Sequence, residues 1–248
     1  MEKRVYDLPT RVFHWLFVGC FIAAFGIGSL ADDESALFSY HMLAGILLCF
    51  LVLLRVVWGV FGTEHARFRG FALRPSDFSS YVADVLRGRE RRWAGHNPAS
   101  SWAAIAMWLI VCGLGLSGYL MSVGWGGETT KEIHEVLANG FAVVVVLHLA
   151  GIILHTLRHR DAIWYSMVGG TKRGLPDETS EVPRRGMVGI VLTLSTFFFF
   201  GFLMKNYDSK AQNLYLFGQK LHLGEFEAGE EEHHHGHSSY REAGDDDD

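Results

Sequence analysis

Cysteine is scarce in this 248-residue chain: Cys20, Cys49 and Cys112 are the only three, and all fall inside apolar runs. No C-x-x-C-H element exists, which excludes covalent c-type haem attachment. No C-x-x-C pair points to zinc or an iron–sulfur cluster, so the three read as small core-filling residues. There is no P-loop, no internal repeat, and no inverted repeat of the kind many transporters carry. Short stretches alternating in polarity are also missing, which excludes a membrane β-barrel. Bases are missing from one of the four connections between apolar runs and number one in another.

What is present comes in blocks. Hydrophobic residues make up 49 % of the chain, aromatics 13 %, and mean hydropathy is +0.16. Five apolar runs carry this excess: Val12–Leu30, Met42–Phe61, Trp102–Val123, Val136–Leu157 and Met187–Met204. A helix needs about 20 mostly apolar residues to cross the hydrocarbon core. In lipid the backbone must satisfy its own hydrogen bonds. The expectation is therefore an all-α membrane protein, which rules out a soluble enzyme and a disordered chain. Ser29-Leu30-Ala31 resembles a signal-peptidase site, but the first run exceeds the 7–15 residues of a signal h-region and carries His14. It reads as a retained helix.

The net charge of −5 hides an alternation. Lys3, Arg4 and Arg11 precede the first run, and only Asp32, Asp33 and Glu34 follow it. The next connection holds Arg67, Arg69, Arg74, Arg87, Arg89, Arg91 and Arg92; the third has Lys131 alone. The fourth holds Arg158, Arg160, Lys172, Arg173, Arg184 and Arg185. The positive-inside rule then puts the N-terminus in the cytoplasm and the C-terminus, after five spans, outside, which for an inner-membrane protein is the periplasm if the source is a Gram-negative bacterium. Topology, with anionic lipid contact next, explains the arginines better than nucleic acid does.

Five histidines lie within or at the edge of the runs: His14, His41, His134, His148 and His155. Ionisable residues at such depth are costly and mark function. His134 and His148 are separated by fourteen residues, about 21 Å of rise and about 40° short of four full turns, so they face nearly the same way at two depths. With the alternating topology, His41 matches the depth of His134, and His14 that of His148. Two levels with one His pair at each is the layout of two bis-histidine haems in a helical bundle. Arg55 lies fourteen residues from His41 on nearly the same face. It is placed either to pair with a haem propionate or to snorkel to the interface. Gly26, Gly28, Gly45, Gly113, Gly115 and Gly118 suit close helix approach or a flat ring.

The segments Tyr6-Asp7-Leu8-Pro9-Thr10-Arg11-Val12-Phe13-His14-Trp15, Gly95-His96-Asn97-Pro98 and His134-Glu135-Val136-Leu137-Ala138-Asn139 resemble the bacterial cytochrome b561 family, which includes the cytochrome b subunits of nickel–iron hydrogenases. His148-Leu149-Ala150-Gly151, His155 and Met167–Arg173 also fit, so the resemblance spans roughly residues 5–173. It implies a four-helix transmembrane core over 1–173 with two non-covalent b-type haems. It implies that His41 and His134 hold the outer haem, and His14 and His148 the inner one. Residues 174–204 then form a cytoplasmic linker and one additional transmembrane helix, and 205–248 an acidic, His-containing periplasmic tail. Helical geometry alone leaves His155 as an alternative inner ligand; the resemblance puts it beside the ligand, near a propionate or quinone. His96 has a similar status, and Asn97-Pro98 is a helix start.

The fifth run lacks His. Beyond it Ala211–Leu223 reads as a short amphipathic helix, followed by Glu230–His237 and Asp245–Asp248, a solvated acidic stretch. Docking a basic redox partner or loosely binding a metal are the functional alternatives for that tail.

The resemblance implies electron transfer between the membrane quinone pool and a redox partner protein, either a periplasmic c-type cytochrome or a reductase- or hydrogenase-type subunit. It leaves room for a homodimer and requires no nucleic acid. A second reading is a superoxide:quinone oxidoreductase using the same haems. A third is a non-haem transporter or membrane anchor with histidines as gates or helix glue. A reduced-minus-oxidised spectrum separates the third from the others, and a superoxide oxidation assay separates the first two.

Overall fold

Asp7 starts the first helix. Its carboxylate accepts the Thr10 backbone N–H at 2.8 Å and Pro9 sits in the first turn, a polar cap and a ring that needs no donor there. The computed structural model describes residues 2–32, 35–89, 93–160 and 162–224, the side chain of His159 excepted. Asp33, Glu34, Arg91, Arg92 and the Glu230–His237 and Asp245–Asp248 stretches lie outside the described residues.

In chain order the elements are β1 (Glu2–Arg4), α1 (Leu8–Leu30), α2 (Phe38–Phe61), α3 (Pro75–Leu86), α4 (Pro98–Ser122), α5 (Gly127–His159), α6 (Ser166–Gly169), β2 (Thr171–Arg173), α7 (Gly186–Lys205), β3 (Tyr207–Asp208), β4 (Asn213–Leu216) and β5 (Gln219–His222). All five apolar runs are helices long and apolar enough to cross a membrane. The chain is thus an all-α, multi-pass membrane protein. α1 and α4 begin before their apolar runs, each with a polar side-chain cap. Asn97 accepts the Ser100 N–H at 2.7 Å ahead of Pro98, the helix start expected there.

α1 packs along α2, α4 along α5, and α2 against α4, while α7 lies on α1 and α2. Lipid is as apolar as leucine, so packing rather than water exclusion holds such helices together. The buried seam contains Phe13, Phe17, Leu48, Leu51, Val52, Trp108, Val111 and Phe141. α1 and α5 meet through an aromatic layer: Phe141 stands edge-on to Phe17 and Phe21, with ring centroids 6.0 and 4.7 Å apart. Phe141 is seven residues from both His134 and His148, so this layer lies midway between them.

At the His14 end the N-terminal segment is clasped. β1 pairs antiparallel with β2, Val182 N–H donates to the Arg4 carbonyl, and Leu8 N–H donates to that of Arg184. Val5 and Tyr6 both donate to the Gly170 carbonyl. Gly170 has φ 86°, and a Cβ there would stand 2.7 Å from the Tyr6 oxygen. Only glycine fits. α3 is an amphipathic helix in the Arg-rich connection, with Phe78, Val82 and Leu86 along one exposed face.

The other end differs from expectation. Ala211–Leu223 is not a helix: β3, β4 and β5 form an antiparallel meander. Leu214, Leu221 and Leu223 are buried against Leu43 and Leu203. Leu221 and Leu223 face inward with period two, and the Phe217-Gly218 turn between the strands breaks any helical period.

Candidate functional site

Near the α7 C-terminal end of the bundle, His41 of α2 faces His134 of α5. Their ring centroids are 6.0 Å apart with planes at 68°. Two imidazoles binding one metal from opposite sides, each at about 2 Å, have ring centres about 6 Å apart. His41 Nδ1 lies 2.7 Å from the Ala24 carbonyl oxygen. That oxygen can only accept, so Nδ1 carries the proton and Nε2 the lone pair. His134 Nδ1 lies 2.8 Å from Ser117 Oγ. Ser117 Oγ also lies 2.9 Å from the Gly113 carbonyl; with its single proton given there, the oxygen accepts from His134 Nδ1 and Nε2 is the lone-pair nitrogen. The carbonyl thus holds His41 in the tautomer a metal ligand needs, and the Ser117 contact is compatible with the same tautomer at His134.

Gly28 makes the His41 position attainable. A Cβ there would stand 2.7 Å from His41 Nδ1, so any side chain would push the ring away from Ala24. Phe38 stacks on the His41 ring at 5.2 Å. Among the described residues no three His, Cys, Asp or Glu side chains converge as a metal cage. The arrangement suits a macrocyclic metal group that needs only two axial ligands.

His14 of α1 and His148 of α5 lie at the opposite end as electrostatic neighbours. The structure therefore brings His41 to His134, while His148 is an electrostatic neighbour of both His14 and His96. His155 is half-buried two turns beyond His148. Arg55 is 2 % exposed. Its Nη2 donates to the Ala66 carbonyl at 2.9 Å, and its guanidinium lies over Trp108 at 4.8 Å, with Phe13, Phe68 and Phe71 around it. Nη1 is buried with no hydrogen-bond partner among the described residues. An orphaned cationic donor of this kind fits a carboxylate-bearing group such as a haem.

Sequence reasoning gave Asp7 no role beyond the motif. It is fully buried and also accepts from Thr63 Oγ1 (2.6 Å) and Trp58 Nε1 (3.1 Å). It is the carboxylate whose field acts on Arg55. Aspartate directly before Leu-Pro, at the start of an apolar run, was the available signal.

The motif around His96 is held by the clasp. Lys172 Nζ donates to the Gly95 carbonyl at 2.9 Å, and Tyr6 Oη donates to it at 3.3 Å. The His96 ring is 4.7 Å from Phe71 and edge-on to Tyr6. Burial, then the charges of Arg55 and Lys172, push its imidazole down to about 3. The unfolded chain, near 6.5, therefore takes up a proton before the folded one does. Stability that is complete above pH 6.5 is lost as pH falls toward 3, by roughly 2 kcal/mol at pH 5. Melting curves in detergent at pH 7.5 and pH 5 should show a smaller acid-induced drop in Tm for His96→Phe than for the parent. Equal drops contradict this assignment. Part of the drop remains in the variant, because burial also pushes His65 down.

The family described as prokaryotic cytochrome b561 matches residues 5–170. A probable Ni/Fe-hydrogenase B-type cytochrome subunit from Rhizobium leguminosarum bv. viciae is 24 % identical over 210 aligned positions, covering 68 % of this chain and 87 % of the relative. No solved structure matches the chain at a significant level. The family match ends before α7, so that helix and the sheet beyond it are additions to the matched region.

Proposed function

Since the chain belongs to the prokaryotic cytochrome b561 family, whose members carry b-type haem and move electrons within membranes, we propose that it passes electrons between the quinone pool and a redox partner protein through two bis-histidine haems. The facing His41–His134 pair carries this reading. Bound haem supplies one-electron redox chemistry at each level. His41 and His134 ligate one group, and His14 and His148 the other. Ala24 and Ser117 orient the two rings at the first level, and Arg55, with its unpartnered Nη1, would hold a propionate at the second. His155 sits beside the second level as a polar neighbour. The core is residues 1–173, with 174–204 and 205–248 as additions.

The partner is a reductase- or hydrogenase-type subunit or a c-type cytochrome. The relative's name favours the former, since it calls that protein a hydrogenase cytochrome subunit. Purified protein mixed anaerobically with a reduced quinol analogue should develop the α-band of a reduced b cytochrome. A protein reducible by dithionite but by no quinol would remove quinone from the account.

The charge alternation supports a cytoplasmic N-terminus and a periplasmic C-terminus. A reporter active only in the periplasm should work when fused after Asp248 and fail when fused at Arg87. The opposite pattern would exchange the two haem faces.

A further inference from the structure

We propose that Phe217, at the tip of the β4–β5 hairpin, sits in the interfacial layer of the lipid bilayer and pins the C-terminal sheet to the membrane. The proposal rests on α7 crossing the membrane, and not on haem content or orientation.

The hairpin joins Leu216 to Gln219 by a two-residue turn. Both turn residues have positive φ, 49° at Phe217 and 83° at Gly218. Such turns favour Asn, Asp or Gly at the first position, and a bulky residue in that region is strained. The Phe217 side chain is also 84 % exposed. A strained and exposed phenylalanine is disfavoured twice unless something outside the protein receives it.

Depth identifies that environment. α7 has twenty residues, a length of about 30 Å, which equals the hydrocarbon thickness. Phe202 lies three residues before its end, within about 5 Å of the hydrocarbon boundary. The Phe217 ring is 6.3 Å from the Phe202 ring. It therefore extends the lipid-facing stripe of α7, where Met187, Val191, Leu194 and Phe198 are all exposed, up to the boundary itself. Aromatic rings concentrate at that level, and Lys205 ends the helix there with its charge free to reach headgroups.

The anchor acts on the site through the sheet. Ser39 Oγ donates to the Leu223 carbonyl at 3.3 Å, and Tyr40 stands edge-on to Tyr207 at 6.1 Å. These residues directly precede His41, so the sheet holds the start of the helix that presents it.

The test places a nitroxide at Phe217→Cys, with Cys20, Cys49 and Cys112 replaced by alanine and the full chain in phosphatidylcholine nanodiscs. A second label at Lys210→Cys, elsewhere on the sheet, is the reference. Collisional accessibility to oxygen relative to a water-soluble nickel chelate should be several-fold higher at 217 than at 210. Equal, water-like ratios at both positions overturn the proposal. Phe217→Asn keeps a residue suited to the turn and removes the ring. In nanodiscs it should speed amide exchange across Asn213–His222 several-fold, and unchanged exchange also overturns the proposal.

Discussion

Alanine at His41 or at His134 is expected to remove the same haem, so that haem per chain falls by half in each variant and no further in the double variant. Each ring is pre-set by one hydrogen bond, to Ala24 or Ser117, and an iron with one remaining axial ligand is open and weakly held. Gly28→Val should produce the same loss without touching a ligand, because a Cβ at that position meets His41 Nδ1 at 2.7 Å. His14→Ala and His148→Ala should remove the other haem. His155→Ala should retain both low-spin spectra. Haem counted per protein, with low-spin EPR signals assigned to each level, reads all of these. If His155→Ala rather than His148→Ala loses haem, the second ligand lies seven residues further along α5.

Asp7→Ala is expected to be the most destabilising single change at the His14 end, by about 3–5 kcal/mol, the cost of removing one member of a buried charged set. The carboxylate caps α1, accepts from Trp58 and Thr63, and lies in electrostatic reach of the buried Arg55. Its loss leaves three donors without their acceptor and removes a negative charge that acts on the buried Arg55. Asp7→Asn keeps one accepting oxygen and should recover part of the loss, while Arg55→Met combined with Asp7→Ala should cost less than the sum of the two. Thermal unfolding in one detergent measures the cycle. Strict additivity would show that the two side chains do not act as a unit.

Hydropathy made the spans legible, because about 20 apolar residues have few uses other than crossing lipid. The approach of His41 to His134 was legible from helical arithmetic, since α2 and α5 are regular over the distance that matters. The helix limits were less so: Asp7 and Asn97 extend α1 and α4 past their apolar runs through side-chain caps. α3 was missed because it is a short helix, Pro75–Leu86, flanked by arginines and well under the length of a span. The sheet after α7 was misread because β4 and β5 are short and meet at Phe217, a residue that does not mark a left-handed turn. The orienting partners Ala24 and Ser117 carry no sequence signal at all. A backbone carbonyl has no identity, and Ser117 is one of several small polar residues in an apolar helix.

Haem stoichiometry in the purified, full-length protein tests the central claim most directly. The account predicts two haems per chain by pyridine haemochrome against quantitative amino-acid analysis, all extractable by acid acetone because the sequence has no thioether attachment motif. One haem per chain, or haem that stays with the protein after extraction, would contradict it.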